Sequence, residues 1–320
     1  MSTQSTRARF LQTASAAGAL GALPLRTAAQ SLTTVNVGAT SSDDMAPILY
    51  GQKAGIFRKY GLDVQANKMT AGVAAAQALV AGTFDLGKAS VTTILSGHEK
   101  GIPFSIVAES FLNNAKDPSS AFIVLKDSPI QTGKDFNGQL VASAGLGDIG
   151  TMALSAWVDQ HGGDAKTIKF VEIPFPAVGA AIEAGRVAAG VASNPNLAVT
   201  LAAGKVRVIP GVFESIAPLY CEVAWMCMRD YSTKNPTVIR AFARAYNECV
   251  TYTNSHHGET VQMVADFTGM LPAVISKMAR VLAWPTVVPA HIQPVIDASV
   301  KYGVLKAGFP AAEVIDPNVR

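Results

Sequence analysis

The stretch A-L-V-A-G-T-F-D-L-G-K-A-S (Ala78 to Ser90) returns about a hundred residues later as A-I-E-A-G-R-V-A-A-G-V-A-S (Ala181 to Ser193). Ala78, Ala81, Gly82, Gly87, Ala89 and Ser90 recur as Ala181, Ala184, Gly185, Gly190, Ala192 and Ser193. Each copy reads as the end of a helix, a glycine that stops it, a short strand and a serine beyond the strand. The echo extends backwards from both copies, so the chain carries two similar α/β lobes. Two lobes that aim strand ends at one crevice describe a ligand clamp better than a one-piece enzyme.

The pattern around the first copy predicts strands at 34–39, 62–68, 84–89 and 103–109, with helices at 44–54 and 72–81. Around the second it predicts strands at 140–144, 168–173, 188–193 and 206–209, with helices at 149–161 and 177–184. Strands alternating with helices of this length imply right-handed crossovers and mainly parallel sheets. Two apolar extended runs, Ala121 to Lys126 and Glu222 to Met228, read as the connections between lobes. The first lobe is therefore expected over 30–120 plus 225–320, and the second over 121–224, with a two-strand hinge that allows bending closure. The C-terminal third reads as helical from Pro236 and is expected to pack on the first lobe.

Residues 1–29 read as an export leader, with Arg7 and Arg9 ahead of an apolar stretch from Phe10 to Leu25. Thr27-Ala28-Ala29 supplies the small residues of a cleavage site before Gln30. Thr6 to Gln12 resembles a twin-arginine signal, although Ala8 separates the two arginines, so either a Tat-like or a Sec route fits. The leader holds three arginines and no acid, which leaves the rest with 23 Lys+Arg against 23 Asp+Glu. That neutrality gives no case for nucleic acid or an anionic membrane as partner. Cys221, Cys227 and Cys249 make no disulfide framework and read as buried apolar residues.

Ligands of open α/β sheets bind beyond the carboxyl ends of strands. Four segments meet that condition: Ser41-Ser42-Asp43-Asp44-Met45, Ser90-Val91-Thr92-Thr93, Gly145 to Thr151, and Asn194-Pro195-Asn196. The candidate ligand-binding residues are Ser41, Ser42, Asp43, Asp44, Met45, Ser90, Thr92, Gly147, Asp148, Ile149, Gly150, Thr151, Asn194 and Glu222. Hydroxyls, amides and backbone N–H groups of this kind suit a small polar ligand, though Ser42 and Asp148 also suit helix caps. Gly145 to Gly150 spells G-x-G-x-x-G, with Glu172 further on, the pattern of a dinucleotide site. The simpler reading is a helix start whose N–H groups favour an acidic group. Asp43 and Asp44 argue the other way: facing the cleft, either would select an amine, and Glu109 and Glu222 carry the same ambiguity. Trp157 and Trp225 read as core. No zinc spacing, nucleophile elbow or P-loop is present, so no catalytic residue, metal or cofactor is expected.

Several segments together resemble a known family: A-G-I-F-R-K-Y-G-L (Ala54 to Leu62), A-L-V-A-G-T-F-D-L-G (Ala78 to Gly87), D-F-N-G-Q-L-V-A (Asp135 to Ala142), A-I-E-A-G-R-V-A-A-G (Ala181 to Gly190) and N-P-T-V-I-R-A-F (Asn235 to Phe242). They resemble the periplasmic substrate-binding proteins of the nitrate, sulfonate, taurine and thiamine-precursor group. The resemblance implies a two-lobed periplasmic-binding-protein (type II) fold that closes on a small organic anion or zwitterion, such as a sulfonate, a taurine-like compound or an aromatic acid. It also implies a periplasmic monomer that delivers its cargo to the permease of an ABC importer. Two enzyme readings stand as alternatives: a pyrimidine-precursor synthase of the same fold, and an NAD(P)-dependent oxidoreductase using Gly145 to Gly150. The motifs are structural, so they specify the clamp better than the cargo.

Overall fold

Thr33–Thr40 alternates valine and alanine with small polar residues, and Val35, Val37 and Ala39 are fully buried as the first strand, β1. The computed structural model describes residues 31–116 and 118–319. The expected export leader and its expected cleavage site lie outside them. After β1 come α1 (Ala46–Lys53), α2 (Ile56–Lys59), β2 (Leu62–Met69), α3 (Gly72–Val80), β3 (Leu86–Ser90), α4 (Val91–Glu99) and β4 (Phe104–Asn114). The chain continues with β5 (Ser120–Leu125), β6 (Leu140–Ser143), α5 (Ile149–Gln160), β7 (Lys169–Glu172), α6 (Phe175–Glu183), β8 (Ala189–Ser193), α7 (Asn196–Ala202) and β9 (Val206–Ile209). It ends with β10 (Leu219–Met228), α8 (Arg229–Lys234), α9 (Pro236–Thr253), α10 (His257–Thr268), α11 (Pro272–Ile275), β11 (Leu282–Trp284) and α12 (Pro289–Lys301).

The strands form two sheets, ordered β11-β4-β10-β3-β1-β2 and β7-β6-β8-β5-β9. From β2 and β7 inwards they correspond strand for strand. Three parallel strands come first, then one antiparallel strand, β10 or β5, then β4 or β9. The internal sequence echo is therefore an echo of topology. Ala121 to Lys126 and Glu222 to Met228 pair inside the sheets, as an apolar run must if its backbone groups are to be satisfied. The chain leaves the first sheet at Asn114 and enters the second at Ser120, then leaves the second at Ile209 and returns to the first at Leu219.

Apolar packing is continuous from one sheet to the other. Ile94, Leu95 and Phe104 join Phe122, Val141, Leu154 and Val191 in one cluster, together with Ile292, Val295 and Ile296 of α12. A second cluster packs α9 on the first sheet through Ile239, Phe242, Tyr246 and Cys249 against Val35, Val37, Phe57 and Trp225. Trp225 and Trp157 are both core residues, and the three cysteines are free and buried. Glu109 also serves structure: its carboxylate accepts the Val288 N–H at 2.7 Å and lies 2.8 Å from His291 Nδ1, which ties α12 to β4.

The repeated glycines have physical reasons. Gly82 and Gly185 end their helices at φ of +72° and +67°, the left-handed region that glycine enters without strain. Gly190 is needed for space, because a Cβ there would lie 2.6 Å from Val178 Cγ1 and 3.0 Å from Ala142 Cβ. Gly190→Ala should therefore destabilise the fold by about 1–3 kcal/mol through overpacking. Gly258→Ala, in open space at the start of α10, should instead stabilise it by about 0.4–1 kcal/mol. Urea midpoints of the two variants decide both signs.

Candidate ligand-binding cleft

A cleft of about 1250 Å³ lies between the sheets, lined from the first by Ser41, Gly72, Ser90 and Glu222, and from the second by Gly147, Asp148, Ser193 and Asn194. Its walls are loops beyond strand carboxyl ends and the starts of α3, α4, α5, α6 and α7, where the parallel arrangement must place them. Both serines of the sequence repeat line it. Ser90 Oγ lies 2.9 Å from Thr92 Oγ1, and Ser120 Oγ donates to Ser193 Oγ at 3.0 Å.

Of the fourteen residues singled out from the sequence, all but Met45 and Thr151 line this cleft. Met45 is fully buried in the core of the first sheet, since the turn after β1 points it inwards. Thr151 lies one turn into α5, where its N–H donates to Asp148 Oδ1 at 2.9 Å and its hydroxyl to Asp148 O at 2.8 Å. Asn194 is held structurally: its Nδ2 donates to Ala279 O at 2.8 Å and its Oδ1 accepts from Ala198 N at 3.1 Å.

Asp43 and Asp44 are both spent on internal cations. Arg280 Nε donates to Asp43 Oδ1 at 2.8 Å, its Nη2 lies 2.6 Å from the same oxygen, and Val281 N–H donates to Asp43 Oδ2 at 2.8 Å. Lys88 Nζ forms a buried ion pair with Asp44 and also donates to Ser42 Oγ at 2.9 Å. Ser110 Oγ donates to Asp44 Oδ2 at 3.0 Å. Burial draws the Lys88 ammonium below the usual lysine range, and Asp44 pulls it back up. Sequence reasoning missed Lys88 and Arg280. Lys88 had a signal, a charge within a short strand otherwise made of small and apolar residues, which a buried strand tolerates only when paired. Arg280 had none, lying more than two hundred residues from Asp43.

At the opposite wall, the Asp148 carboxylate caps α5 and accepts from Ser143 Oγ at 2.9 Å, Gly145 N at 3.0 Å and Thr151 N at 2.9 Å. The anion favoured by this glycine-rich helix start is thus a residue of the chain itself. That corrects the expectation of an open dinucleotide or anion cradle at Gly145 to Gly150, because a phosphate there would meet a carboxylate. Burial raises the Asp148 carboxyl, and these hydrogen bonds lower it in part. Glu222 differs. Its Oε1 is buried without a hydrogen-bond partner, and burial first, then Asp148 and Glu214, push the carboxyl up to about 8.

Two outcomes follow. Lys88→Met should cost about 3–5 kcal/mol, since it strands the Asp44 charge, and adding Asp44→Asn should recover part of the loss. Urea denaturation of the single and double variants measures both. The second concerns pH. Glu222 keeps a proton in the folded chain that the unfolded chain has already released above its ordinary value of 4.5. Stability without ligand should then fall as pH rises from about 4.5 towards about 8, by at most about 1.4 kcal/mol per pH unit from this group. Glu222→Gln removes that contribution, so the variant should exceed the parent in stability near the upper end of this range and match it near the lower.

The family model described as NMT1/THI5 like matches residues 42–260. No curated protein matches the sequence. Among solved structures, the chain is similar to the periplasmic aliphatic sulphonate binding protein SsuA from Escherichia coli, with 19% identity over 90% of this chain and 99% of that one, at a TM-score of 0.75. It is similar to the periplasmic nitrate-binding protein NrtA from Synechocystis PCC 6803, with 16% identity over 90% and 86%, at 0.73. It is also similar to the desulfurization enzyme DSZB, with 11% identity over 90% and 97%, at 0.65. At such identities these likenesses speak for the fold alone, that of periplasmic binding proteins. The family match runs from cleft residue Ser42 through the whole second sheet into α10, and on that ground the chain belongs to the NMT1/THI5-like family.

Proposed function

We propose that this chain is an extracytoplasmic solute-binding protein that captures a small organic anion or zwitterion and hands it to the permease of an ABC importer. The observation that carries the reading is the single cleft lined by strand ends of both sheets, with a serine of the repeat on each wall. Ser90 precedes α4 without capping it, so its hydroxyl and the first N–H groups of that helix are available to a polar solute. On this reading the lobes expected over 30–120 with 225–320 and over 121–224, with β10 counted whole in the first, close on the cargo from two sides, and the N-terminal leader directs the chain to the periplasm. Sulfonate and nitrate binding in proteins of the same fold supports the choice of solute class. Among the described residues no helix is long and apolar enough to cross a membrane.

A fold shared with an enzyme does not separate receptor from catalyst, and the distinction rests on the side chains of the cleft. None of the three cysteines lines it, and Asp44 holds Lys88, the buried lysine that does. A cleft lined by no cysteine, with Asp148 capping the glycine-rich helix start, supports the receptor reading over either enzyme alternative. Micromolar affinity requires about 8 kcal/mol, within reach of a few charge-assisted hydrogen bonds and closure.

The test is a melting-temperature screen of the chain from Gln30 onward against sulfonates, nitrate, carboxylates, amines and pyrimidines. A member of the first classes or an amino-bearing analogue should raise the melting point by mass action. Ser90→Ala should then weaken that ligand roughly 2- to 10-fold, the worth of one hydrogen bond, with its unliganded melting point unchanged. Pyridoxal absorbance in the purified protein, or turnover of a nicotinamide cofactor, would replace the receptor reading with an enzymatic one.

A further inference from the structure

Glu222 is the cleft residue whose chemistry is left unused. Among the described residues, its Oε1 is the one partnerless buried side-chain polar atom that belongs to a cleft-lining residue. The residue is 7% exposed. Its placement is built into the sheet. Cys221 pairs with Leu112 and Val223 with Phe111, so Glu222 is an extra residue in β10 with no counterpart on β4. Bulges of this kind re-aim a side chain. β3 reaches its last pairing at Ser90 opposite Val223, so Glu222 stands one residue past the point where the sheet opens into the cleft.

The surrounding charges decide what this oxygen receives. Lys88 and Arg280 are committed to Asp44 and Asp43, and Lys100 is exposed at the rim. The carboxylates Asp148 and Glu172 face the same cleft, the first engaged in capping and the second accepting the Leu146 N–H at 3.1 Å. A bare anion brought to Glu222 meets the like charges of Asp148 and Glu172, whereas a protonated nitrogen meets a buried oxygen that lacks a hydrogen-bond partner.

We propose that Glu222 selects the solute by accepting a hydrogen bond from a positively charged nitrogen, which makes the ligand of this cleft a zwitterion or other ammonium-bearing solute and not a simple anion. The inference rests on the receptor reading and narrows it. It also fixes a proton balance. Before binding, burial and the nearby Asp148 and Glu214 keep the carboxyl protonated up to about pH 8. Tyr220 and Cys221, beside it on β10, are neutral groups that burial, above all, holds from ionising. Arrival of the cation releases the carboxyl proton to solvent, so affinity rises with pH until about 8. A ligand offering an acceptor to Glu222 would bind the protonated acid and show the opposite slope.

The test uses pairs in which an ammonium is replaced by a methyl of similar size: 2-aminoethanesulfonate with propanesulfonate, 3-aminopropanoate with butanoate, and 4-(aminomethyl)benzoate with 4-ethylbenzoate. Each is titrated calorimetrically into the leader-free chain near pH 6 and near pH 8, in buffers of different ionisation enthalpy. The expected result is an ammonium member that binds roughly 10- to 100-fold tighter than its methyl partner, the factor of a charge-assisted hydrogen bond. It should bind tighter at the higher pH, with a proton released, and Glu222→Gln should erase the preference while Glu222→Asp keeps part of it. Binding without ammonium preference, or a preference that survives Glu222→Gln, overturns the inference and leaves the receptor reading standing. If no member of any pair binds, both fall. Should the glutamine variant fail to fold, the paired affinities and pH slope of the parent chain decide alone.

Discussion

Both walls of the cleft depend on one topological constraint, the insertion of an antiparallel crossing strand into the middle of each sheet. β10 enters between β3 and β4 only after the second sheet has been built, and without it both neighbours would carry unpaired backbone groups in the interior. β5 does the same between β8 and β9. Each crossing strand lies against the strand that ends in a repeat serine, so one two-stranded unit makes the tip of each wall. In the second sheet Ser120 pairs with Ser193. In the first, Val223 pairs with Ser90 and the bulge throws Glu222 forward. The fold repeats, and the chemistry at its tip does not.

The electrostatics follow from that geometry. A lysine on β3 sits under the cleft floor, where an unpaired ammonium costs several kcal/mol, so Asp44 is needed to hold it. Asp43 is likewise needed by Arg280, which also donates to Thr260 Oγ1 at 3.0 Å and so fastens α10 to the turn after β1. The acids Asp43 and Asp44 that sequence alone offers as ligand selectors are therefore construction, and Glu222 is the cleft acid whose Oε1 construction leaves without a partner.

The fold was legible because its signals are local. Helix stops at Gly82 and Gly185, strands of alternating valine, and the repeat itself led to two sheets, while the runs at 121–126 and 222–228, read as connections between lobes, are strands inside them. Boundaries shifted where local pattern competes with pairing, as at β4, which runs on to Asn114 because β10 pairs along its length. The cleft was legible to the extent that strand ends are, which brought Ser41, Ser90, Asp148, Asn194 and Glu222 to one place. Which polar groups remain free was not legible, since that depends on partners far away in sequence: Arg280 for Asp43, Ala279 for Asn194, His291 for Glu109. Glu109 and Glu222 looked alike as strand glutamates, and only the contacts of α12 with the one and the bulge at the other tell them apart.

The glycine-rich loop shows the same point from the other side. G-x-G-x-x-G becomes an anion site when the helix start after it keeps its N–H groups free. Here the residue at the cap is Asp148, which takes those donors for itself, whereas α4 on the first wall begins at Ser90, an uncharged residue that does not cap it. The cleft therefore presents unlike groups: a helix start open to negative charge at Ser90, an internally satisfied acid at Asp148, and at Glu222 a partnerless carboxyl raised by burial first and then by Asp148. Symmetric lobes would grip a symmetric ion equally well either way round. With this asymmetry, the proposed solute with one anionic and one cationic end would fit in a single orientation, which a receptor must fix before it can discriminate between cargoes of similar size.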